Sequence, residues 1–414
     1  MKLIIERAAL LKALGHVQSV VERRTTIPIL SNVLLRAEAV PNPGAAQADG
    51  ARDPQPGMLA LSATDMDLEI VERVPGQIAR EGRTTAPAHT LYDIVRKLPE
   101  GSQIEIEAPA SGAAAPAGAA QNPASAPAGM TLRCGRSTFT LATLPPEDYP
   151  LMAGGELPHS FALSAGGLRT LIDRTRFAIS TEETRYYLNG IYLHATRNNE
   201  NPVIRAVATD GHRLARVEMQ LPEGAADIPG VIIPRKTVLE LRKLVEESEQ
   251  EVAVSLSDTK IRFAIPGSGG GGSASLISKL VDGTFPDYDR VIPANNDKIL
   301  DVKCKAFAEA VDRVSTISTE KSRAVKLTVE GSSLTLSATS PENGTAVEEI
   351  EVSYGASPIE IGFNSRYLLD ITDQIDGETA QIAMSDAASP TIVREEGPGS
   401  SGASALYVLM PMRV

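Results

Sequence analysis

One nine-residue stretch, Ala208–Arg216, holds the best candidates for chemistry in this sequence of 414 residues, and it reads Ala-Thr-Asp-Gly-His-Arg-Leu-Ala-Arg. His212 is the strongest single candidate for a general base, because an imidazole titrates near neutral pH. Neither a serine or cysteine nucleophile motif nor a recognisable carboxylate relay accompanies it in the sequence. Catalysis is therefore not expected, and no catalytic residue is assigned.

Two other stretches resemble metal or phosphate sites. Asp65 and Asp67 form an acidic pair, but the corresponding residues in two related stretches are an Asp-His pair and a Ser-Glu pair. A turn explains that pattern better than a metal site does. The glycine-rich residues 267–272 lack the Lys-Ser/Thr pair and the helix that follow a phosphate loop. We therefore expect no metal and no cofactor.

The Ala-Thr-Asp sequence of residues 208–210 has two weaker copies, at residues 63–65 and 338–340. In each copy an apolar run leads into this sequence, passes a short polar turn and continues as an alternating strand, which is typical of a β-hairpin. The three threonines are 145 and 130 residues apart, far more than in a solenoid repeat, so each copy is expected in its own domain. The predicted domains cover residues 1–150, 157–284 and 294–414.

Each repeat is predicted to contain two helices and several strands. Apolar residues at helical spacing, as in Leu10, Leu14, Val17 and Val21, predict a first amphipathic helix within residues 6–24, and similar stripes begin near residues 168 and 307. The solvent face of each stripe is basic. A second helix is predicted at residues 89–98, 235–244 and 364–371, and short alternating strands follow each one. The pattern favours an α+β fold with two helices packed on an antiparallel sheet in each domain.

Composition bounds the cellular setting. The formal net charge of -12 ordinarily argues against a nucleic-acid partner. Cys134 and Cys304 fall in different repeats and form no disulfide framework, which favours a reducing cytosol. The N-terminus is not a signal peptide, and the sequence has no apolar run of about 18 residues. A cytoplasmic protein without a membrane segment is expected. Low-complexity segments at residues 40–56, 108–129, 267–273 and 397–404 are interpreted as loop insertions.

The motifs, taken in order, resemble the bacterial DNA polymerase III beta subunit family, the replicative sliding clamps. The strongest matching segments are residues 27–32, 185–190, 209–214, 285–288 and 407–414, and the match spans essentially the whole chain. The resemblance implies a ring-forming protein, in which two head-to-tail protomers supply six modules of the DNA-clamp fold. The helices would line a central hole around duplex DNA. A basic lining with an acidic exterior would reconcile the negative net charge with DNA.

The resemblance also implies a function and a set of partners. It implies a non-catalytic processivity subunit that encircles double-stranded DNA without reading its sequence. The expected partners are a second copy of the chain, the alpha subunit of DNA polymerase III, the clamp loader and other proteins with a clamp-binding motif, and no membrane. Two alternatives stay open: a DNA-modifying enzyme that uses His212, and a multi-domain scaffold that binds proteins without encircling DNA.

The resemblance assigns three sets of residues. A peptide-binding cleft between the second and third domains would use Leu188, Thr209, Gly211, His212, Arg213, Leu214, Pro286, Arg290, Val291, Asn364, Tyr367, Val408, Met410, Pro411, Met412 and Arg413. The DNA-contacting residues would be Arg24, Arg96, Lys97, Arg174, Arg176, Arg235, Lys236 and Arg366, although each could be an ordinary solvated charge. Ile317 would lie at the dimer interface or in the core.

Within the predicted cleft, the chemical types suggest separate roles. The leucines, valines and methionines would form an adaptable apolar pocket, Gly211 would let a ligand approach the backbone, and the arginines would frame the rim with donors. The alternative is that the turn at residues 209–212 is only a hairpin connection and that Met410 and Met412 belong to the core. The first and third repeats keep the hairpin without Gly-His-Arg, which favours the cleft.

Overall fold

The computed structural model describes residues 1–40, 54–109, 129–267, 272–318, 323–395 and 402–413. Most of each predicted insertion therefore lies outside the described residues. The chain divides into two compact units: unit 1 is Met1–Ala165 with Leu239–Lys279, and unit 2 is Gly166–Val238 with Leu280–Val414. The central repeat contributes residues to both units, and the three predicted domain boundaries stay a prediction.

Six α-helices occur in the described part of the chain. They are α1 (Arg7–Val17), α2 (Ala88–Lys97), α3 (Ala165–Arg176), α4 (Arg235–Leu244), α5 (Cys304–Ser315) and α6 (Ser365–Thr372). The three predicted second helices are confirmed to within one residue at each end. None of these helices is long and apolar enough to cross a membrane.

The first predicted helix is shorter than expected, because α1 ends at Val17 and not near residue 24. The backbone N–H groups of Ser19, Val20 and Val21 each donate to the carbonyl three residues earlier. This tightening into i→i+3 hydrogen bonds is a common way to end an α-helix. Val20 and Val21 still reach the core, so the apolar stripe in the sequence continues past the end of the helix.

The strands, in chain order, are β1 (Lys2–Glu6), β2 (Asn32–Ala39), β3 (Gln55–Thr64), β4 (Leu68–Arg80), β5 (Gly82–Pro87), β6 (Gln103–Glu107), β7 (Gly129–Cys134), β8 (Ser137–Ala142), β9 (His159–Ser164), β10 (Gly190–Asn198), β11 (Asn201–Thr209), β12 (Arg213–Gln220), β13 (Val231–Pro234), β14 (Glu251–Leu256), β15 (Lys260–Pro266), β16 (Ser273–Lys279), β17 (Lys298–Lys303), β18 (Ala324–Glu330), β19 (Ser333–Ser340), β20 (Gly344–Glu351), β21 (Ser353–Tyr354), β22 (Ile359–Asn364), β23 (Thr379–Met384), β24 (Thr391–Glu395) and β25 (Ser404–Leu409).

All pairings between these strands are antiparallel, and the α+β prediction is confirmed. Unit 1 contains one sheet in which β8-β7-β6-β1-β4-β16-β15-β14-β9 run side by side, with β2, β3 and β5 attached beside β4. Unit 2 contains a nine-stranded sheet, β13-β10-β11-β12-β25-β24-β23-β17-β21, and a four-stranded sheet, β20-β19-β18-β22. Strands that are distant in sequence therefore become neighbours at β4–β16 and at β12–β25.

Helices and strands bury their apolar sides against each other. Leu10, Ala13, Leu14 and Val17 of α1 are fully buried, and α1 packs against α2 and β4. In the third repeat, α5 packs against α6, β19 and β20. The alternation of buried and exposed residues along strands such as β6 and β18 agrees with a sheet covered on one face.

The repeated hairpin turn is confirmed and has the same hydrogen bonds in the first two copies. In β3–β4, the Oδ1 atom of Asp65 accepts from the backbone N–H groups of Asp67 at 2.9 Å and Leu68 at 2.8 Å. In β11–β12, Asp210 accepts in the same way from His212 and Arg213. An aspartate that closes such a turn on its own backbone explains the recurrence of Ala-Thr-Asp.

Replacing Asp65 with alanine is expected to lower the free energy of unfolding by about 1–3 kcal/mol, because two backbone N–H groups lose their acceptor. Calorimetric unfolding of the full chain measures this effect. Asp258→Ala is the matched control, since Asp258 is an exposed aspartate in the β14–β15 turn. An equal loss in the two variants would contradict the role given to Asp65.

Candidate functional site

An apolar cluster in unit 2 forms the floor of the candidate site. Its buried members are Leu188, Val207, Leu214, Ile232, Phe285, Tyr288 and Val408, and they come from six separate segments of the chain. Leu214 on β12 lies opposite Val408 on β25 in the strand register. The structure therefore brings three of the predicted cleft residues, Leu188, Leu214 and Val408, together in one core. They shape the surface above them and are themselves 2–4% exposed.

Apolar residues that remain exposed come from the segments bordering this floor. Val291 is 50% exposed and Met410 is 41% exposed, in contrast to the core role considered for Met410. Pro286, Arg290 and Arg413 are also exposed, whereas Pro411 and Met412 are half-buried. Exposed large apolar side chains bordered by polar residues are typical of a binding surface.

Backbone hydrogen bonds hold the C-terminal segment in place. The N–H of Met410 donates to the carbonyl of His212 at 2.9 Å, and the N–H of Met412 donates to the carbonyl of Gly362 at 2.8 Å. Met412 thereby forms an isolated bridge to β22 of the four-stranded sheet. The last residues are thus bonded to two sheets of unit 2, which keeps the side chains of 410–412 in a defined position.

The turn that joins β11 to β12 places His212 and Gly211 at the surface. The hydroxyl of Thr209 accepts from the N–H of Gly211 at 3.1 Å, and His212 is exposed with its ring 6.4 Å from that of Tyr367. Gly211 has φ of 89°, which favours glycine, and a Cβ there would lie 2.5 Å from a guanidinium nitrogen of Arg185. The positive φ angle and the close guanidinium of Arg185 are therefore two structural reasons for glycine at position 211. The predicted reason was the approach of a ligand to the backbone.

Arg185 is a residue of this region that sequence reasoning did not select. Its guanidinium pairs with Glu182 at 2.6 Å and donates to the carbonyl of Asp210 at 2.9 Å. The hydrogen bond from Arg185 lowers the pKa of the Glu182 carboxyl. Next to it, Tyr186 is 54% exposed. Both residues lie in segment 185–190, which resembles the clamp family, and this resemblance could have pointed to them as site residues.

Arg213 is only 9% exposed, and its predicted role as a rim donor of the cleft stays a prediction. Its guanidinium pairs with Asp210 at 3.1 Å and Asp370 at 2.5 Å and donates to the carbonyl of Phe177 at 2.6 Å. It also lies over the ring of Tyr367, 4.3 Å from the centroid. A buried arginine with its donors occupied in this way joins α6 to β12, so Arg213 has a structural role in the described residues.

The two predicted residues on α6 have different surroundings. Asn364 caps the helix, because its side chain accepts from the N–H of Arg366 at 3.0 Å. Tyr367 is half-buried between His212 and Arg213, and burial raises the pKa of its hydroxyl. Asn364 therefore supports the site through the fold, and Tyr367 supports the exposed ring of His212 directly.

A buried polar group lies beside the floor. The guanidinium of Arg205 pairs with Glu218 at 2.8 Å and donates to the hydroxyl of Tyr288 at 2.9 Å. The same hydroxyl lies 2.9 Å from Nε2 of His194. Tyr288 is part of the apolar floor and begins the short helical turn Tyr288–Val291, which carries the exposed Val291.

Most of the predicted DNA-contacting residues are exposed. Arg24, Arg96, Lys97, Arg176, Arg235 and Arg366 are exposed, and Lys236 is half-buried. Arg96 and Arg176 each form an ion pair with an aspartate three residues earlier. Such surface pairs are weak and leave the cation available to a phosphate.

Arg174 is the exception, because its side chain is buried in internal ion pairs, and its contact with DNA stays a prediction. The side chain is only 6% exposed and pairs with Asp376 and, at 3.6 Å, with Glu395. Removing a buried arginine from two carboxylates to reach a phosphate would leave those carboxylates uncompensated. Ile317 is half-buried just after α5, and its carbonyl accepts from the side chain of Asn343 at 3.2 Å.

Family models match nearly the full length of the chain. The model of the DNA polymerase III beta subunit, N-terminal domain, matches residues 1–40 and 54–116. The models of its central and C-terminal domains match residues 162–287 and 289–413. The expectation of three repeated domains with the clamp fold is thereby confirmed.

Individual proteins and structures agree with these models. The beta sliding clamp of Caulobacter vibrioides is 51% identical over 414 residues, with full coverage of both chains. The beta sliding clamp of Escherichia coli K12 is 35% identical, also with full coverage of both. A crystal structure of a sliding clamp from Bartonella birtlesii bound to griselimycin has a TM-score of 0.85 at 45% identity and covers all of both chains. The chain therefore belongs to the family of the DNA polymerase III beta subunit, the bacterial beta sliding clamps.

Proposed function

We propose that this protein is a sliding clamp that encircles duplex DNA as a ring and tethers the replicative polymerase to it, in the cytoplasm. Membership of the beta subunit family over the full length carries this proposal. The beta subunit is the processivity subunit of DNA polymerase III and is not itself catalytic. His212 agrees with that role, because it is exposed in a hairpin turn and stacks on Tyr367.

The surface around Val291, Met410 and His212 is the proposed binding site for partner peptides. The rigid apolar floor and the exposed Val291 and Met410 fit a ligand that inserts a few apolar side chains. Met410 and Met412 add flexible thioether side chains that adapt to different sequences. The partners are the polymerase alpha subunit, the clamp loader and other proteins that carry a short clamp-binding motif.

The other arginines and lysines of the predicted set, without the buried Arg174, are the proposed contacts to DNA. Arg24, Arg96 and Lys97 in unit 1, and Arg176, Arg235, Lys236 and Arg366 in unit 2, remain in this set. Long flexible cations that contact only phosphates hold DNA without selecting a sequence. The acidic net charge is compatible with this set, because net charge sums over the whole surface.

A homodimer would form through the end strands of two sheets. β20 ends the four-stranded sheet and exposes 68% of Val347 beside Glu348 and Glu349, whereas β8 ends the sheet of unit 1 beside Arg133 and Arg136. An unpaired edge strand with an exposed valine is suited to pairing with another strand. Each copy carries both edges, so two such contacts close a dimer. Ile317 lies near β20 and is proposed to join this contact.

Loading onto a nicked circular plasmid tests encirclement. After loading by the clamp loader, the protein is expected to stay on circular DNA through gel filtration in high salt and to leave when the plasmid is linearised. A scaffold or a DNA-modifying enzyme predicts no dependence on DNA ends. Sedimentation at micromolar concentration should give the mass of two chains, and a monomer there would contradict the ring.

Replacing Met410 with aspartate is expected to weaken peptide binding at least about thirtyfold, which corresponds to one hot-spot contact. The probe is a fluorescent peptide with a glutamine followed by leucines and an aromatic residue, and wild-type affinity should be micromolar, about -8 kcal/mol. Deletion of residues 410–414 should abolish binding and leave the dimer intact. Leu151→Asp is the control, because Leu151 is also an exposed apolar residue but belongs to unit 1. Unchanged affinity of the deletion variant would place the cleft elsewhere.

Changing Arg24, Arg235 and Arg366 together to glutamine is expected to weaken DNA binding and processive synthesis without altering sequence preference. Losing three phosphate contacts should reduce the slope of log affinity against log salt by about 2–3. The variant Arg36→Gln with Arg262→Gln and Arg394→Gln removes the same charge from strand positions. If that control lost as much loading as the test variant, the effect would reflect net charge and not these contacts.

A further inference from the structure

The hydroxyl of Tyr288 belongs to a hydrogen-bond network of buried polar side chains. Nη1 of Arg205 is 2.9 Å from this hydroxyl oxygen, and Nε2 of His194 lies 2.9 Å from the same atom. Arg205 and Glu218 are 5% and 3% exposed, and their side chains pair at 2.8 Å. Solvent therefore has little access to the Arg205–Glu218 end of this hydrogen-bond network.

One arrangement of protons gives every donor among these groups an acceptor. An arginine can only donate, so the oxygen of Tyr288 accepts from Arg205, and in this arrangement the hydroxyl donates its own proton to Nε2 of His194. Nε2 must then be unprotonated, and the ring proton lies on Nδ1, 3.3 Å from the carbonyl of Ala195. Burial is the main cause that lowers the pKa of His194, the Ala195 carbonyl opposes it, and the charge of Arg205 lowers the pKa further.

The charged and titratable groups around His194 come from several elements. Arg205 on β11, Glu218 and Arg216 on β12, and Tyr288 and Asp289 on the helical turn are the groups of the neighbouring elements. On its own strand, the ring of Tyr192 stacks on His194 at 4.6 Å. Glu218 is already paired with Arg205, and Asp289 is mostly exposed, so a second positive charge on His194 would have no buried partner.

Tyr288 connects this hydrogen-bond network to the proposed peptide site. Its ring packs edge-on against Phe285 in the floor, with centroids 6.4 Å apart. The residue also begins the helical turn Tyr288–Val291, so its position sets where Arg290 and Val291 stand. Asp289 in the same turn lies 3.8 Å from Arg205 and 3.9 Å from Arg216, which adds weaker contacts to the same group.

We propose that His194 is a positioning residue for the peptide site and makes its affinity fall in acid. When His194 binds a proton, Nε2–H and the hydroxyl of Tyr288 face each other as two donors, while Arg205 still donates from the other side. The proton of Tyr288 then turns away from His194 and loses its acceptor, which weakens the attachment of the segment that carries Val291. This inference rests on the proposed peptide site and adds its regulation by pH.

The pH window follows from the direction of the shift. The ordinary pKa of a histidine is about 6.5, and that of His194 in the folded protein is lower. Neutral His194 therefore predominates at neutral pH. Peptide affinity is lost as the pH falls through the lowered pKa of His194. Stability changes in the same direction, because the unfolded chain binds the proton more readily than the folded one does.

Peptide affinity measured at about pH 7.5 and about pH 5 tests the proposal, since a histidine changes charge between these values. The peptide is capped at both ends and has no ionisable side chain, so only the protein titrates. The wild type is expected to bind about tenfold more weakly in acid, the equivalent of one lost hydrogen bond. In His194→Gln the amide oxygen can still accept from Tyr288 without titrating, so the ratio of the two affinities should fall to nearly one.

Two further variants separate the effect of His194 from that of the exposed histidine at the site. His212→Gln should keep the wild-type ratio, although His212 is exposed at the site itself. Tyr288→Phe removes the hydroxyl and should also flatten the ratio, and it decides the question if His194→Gln does not fold.

Some results would overturn the proposal. A wild-type ratio in both His194→Gln and Tyr288→Phe would do so, as would a loss of pH dependence in His212→Gln alone. Failure of the peptide site itself has a different signature. The wild type then binds no peptide at about pH 7.5, and that result overturns both proposals.

Discussion

The pairing of β12 with β25 is the interaction on which the proposed peptide site depends. Six residue pairs, from Arg213 opposite Leu409 to Glu218 opposite Ser404, place the last strand in the interior of the nine-stranded sheet. Leu214 and Val408 meet in the floor because of this register, and a slip of β25 by one residue would turn Val408 to the other face. The exposed Met410 follows directly from the same ladder, since its N–H continues the pairing to His212.

Buried arginines separate the residues that hold the fold from those that remain available to ligands. Arg174, Arg205 and Arg213 each lie against one or more carboxylates inside unit 2. Withdrawing a guanidinium from such a place would leave buried carboxylates without their positive partner, which costs free energy. These arginines therefore stabilise the fold. Arg24 and Arg235 are exposed, so their side chains can reach a ligand without leaving a buried site. Residue type alone cannot distinguish the two groups.

The sequence predicts the local features of this fold well. The helix at residues 235–244 and the turns at Asp65 and Asp210 depend on neighbours only a few residues away. Burial of Arg174 depends on Asp376 and Glu395, some two hundred residues later, and no local pattern reports that. His194 was missed for the same reason. Its partners Arg205 and Tyr288 lie on other elements, and the resemblance supplied the site without them.

The long sequence separation between β12 and β25 has a consequence for biosynthesis. β12 has no partner on its β25 side until residues 404–409 have been made, because these residues form that strand. Contacts between such distant segments form late in folding and slowly. Until residues 404–410 have left the ribosome, the nascent protein lacks both the β12–β25 pairing and Met410 beside His212. A translation product that stops before residue 404 therefore cannot present this surface and cannot compete for its partners.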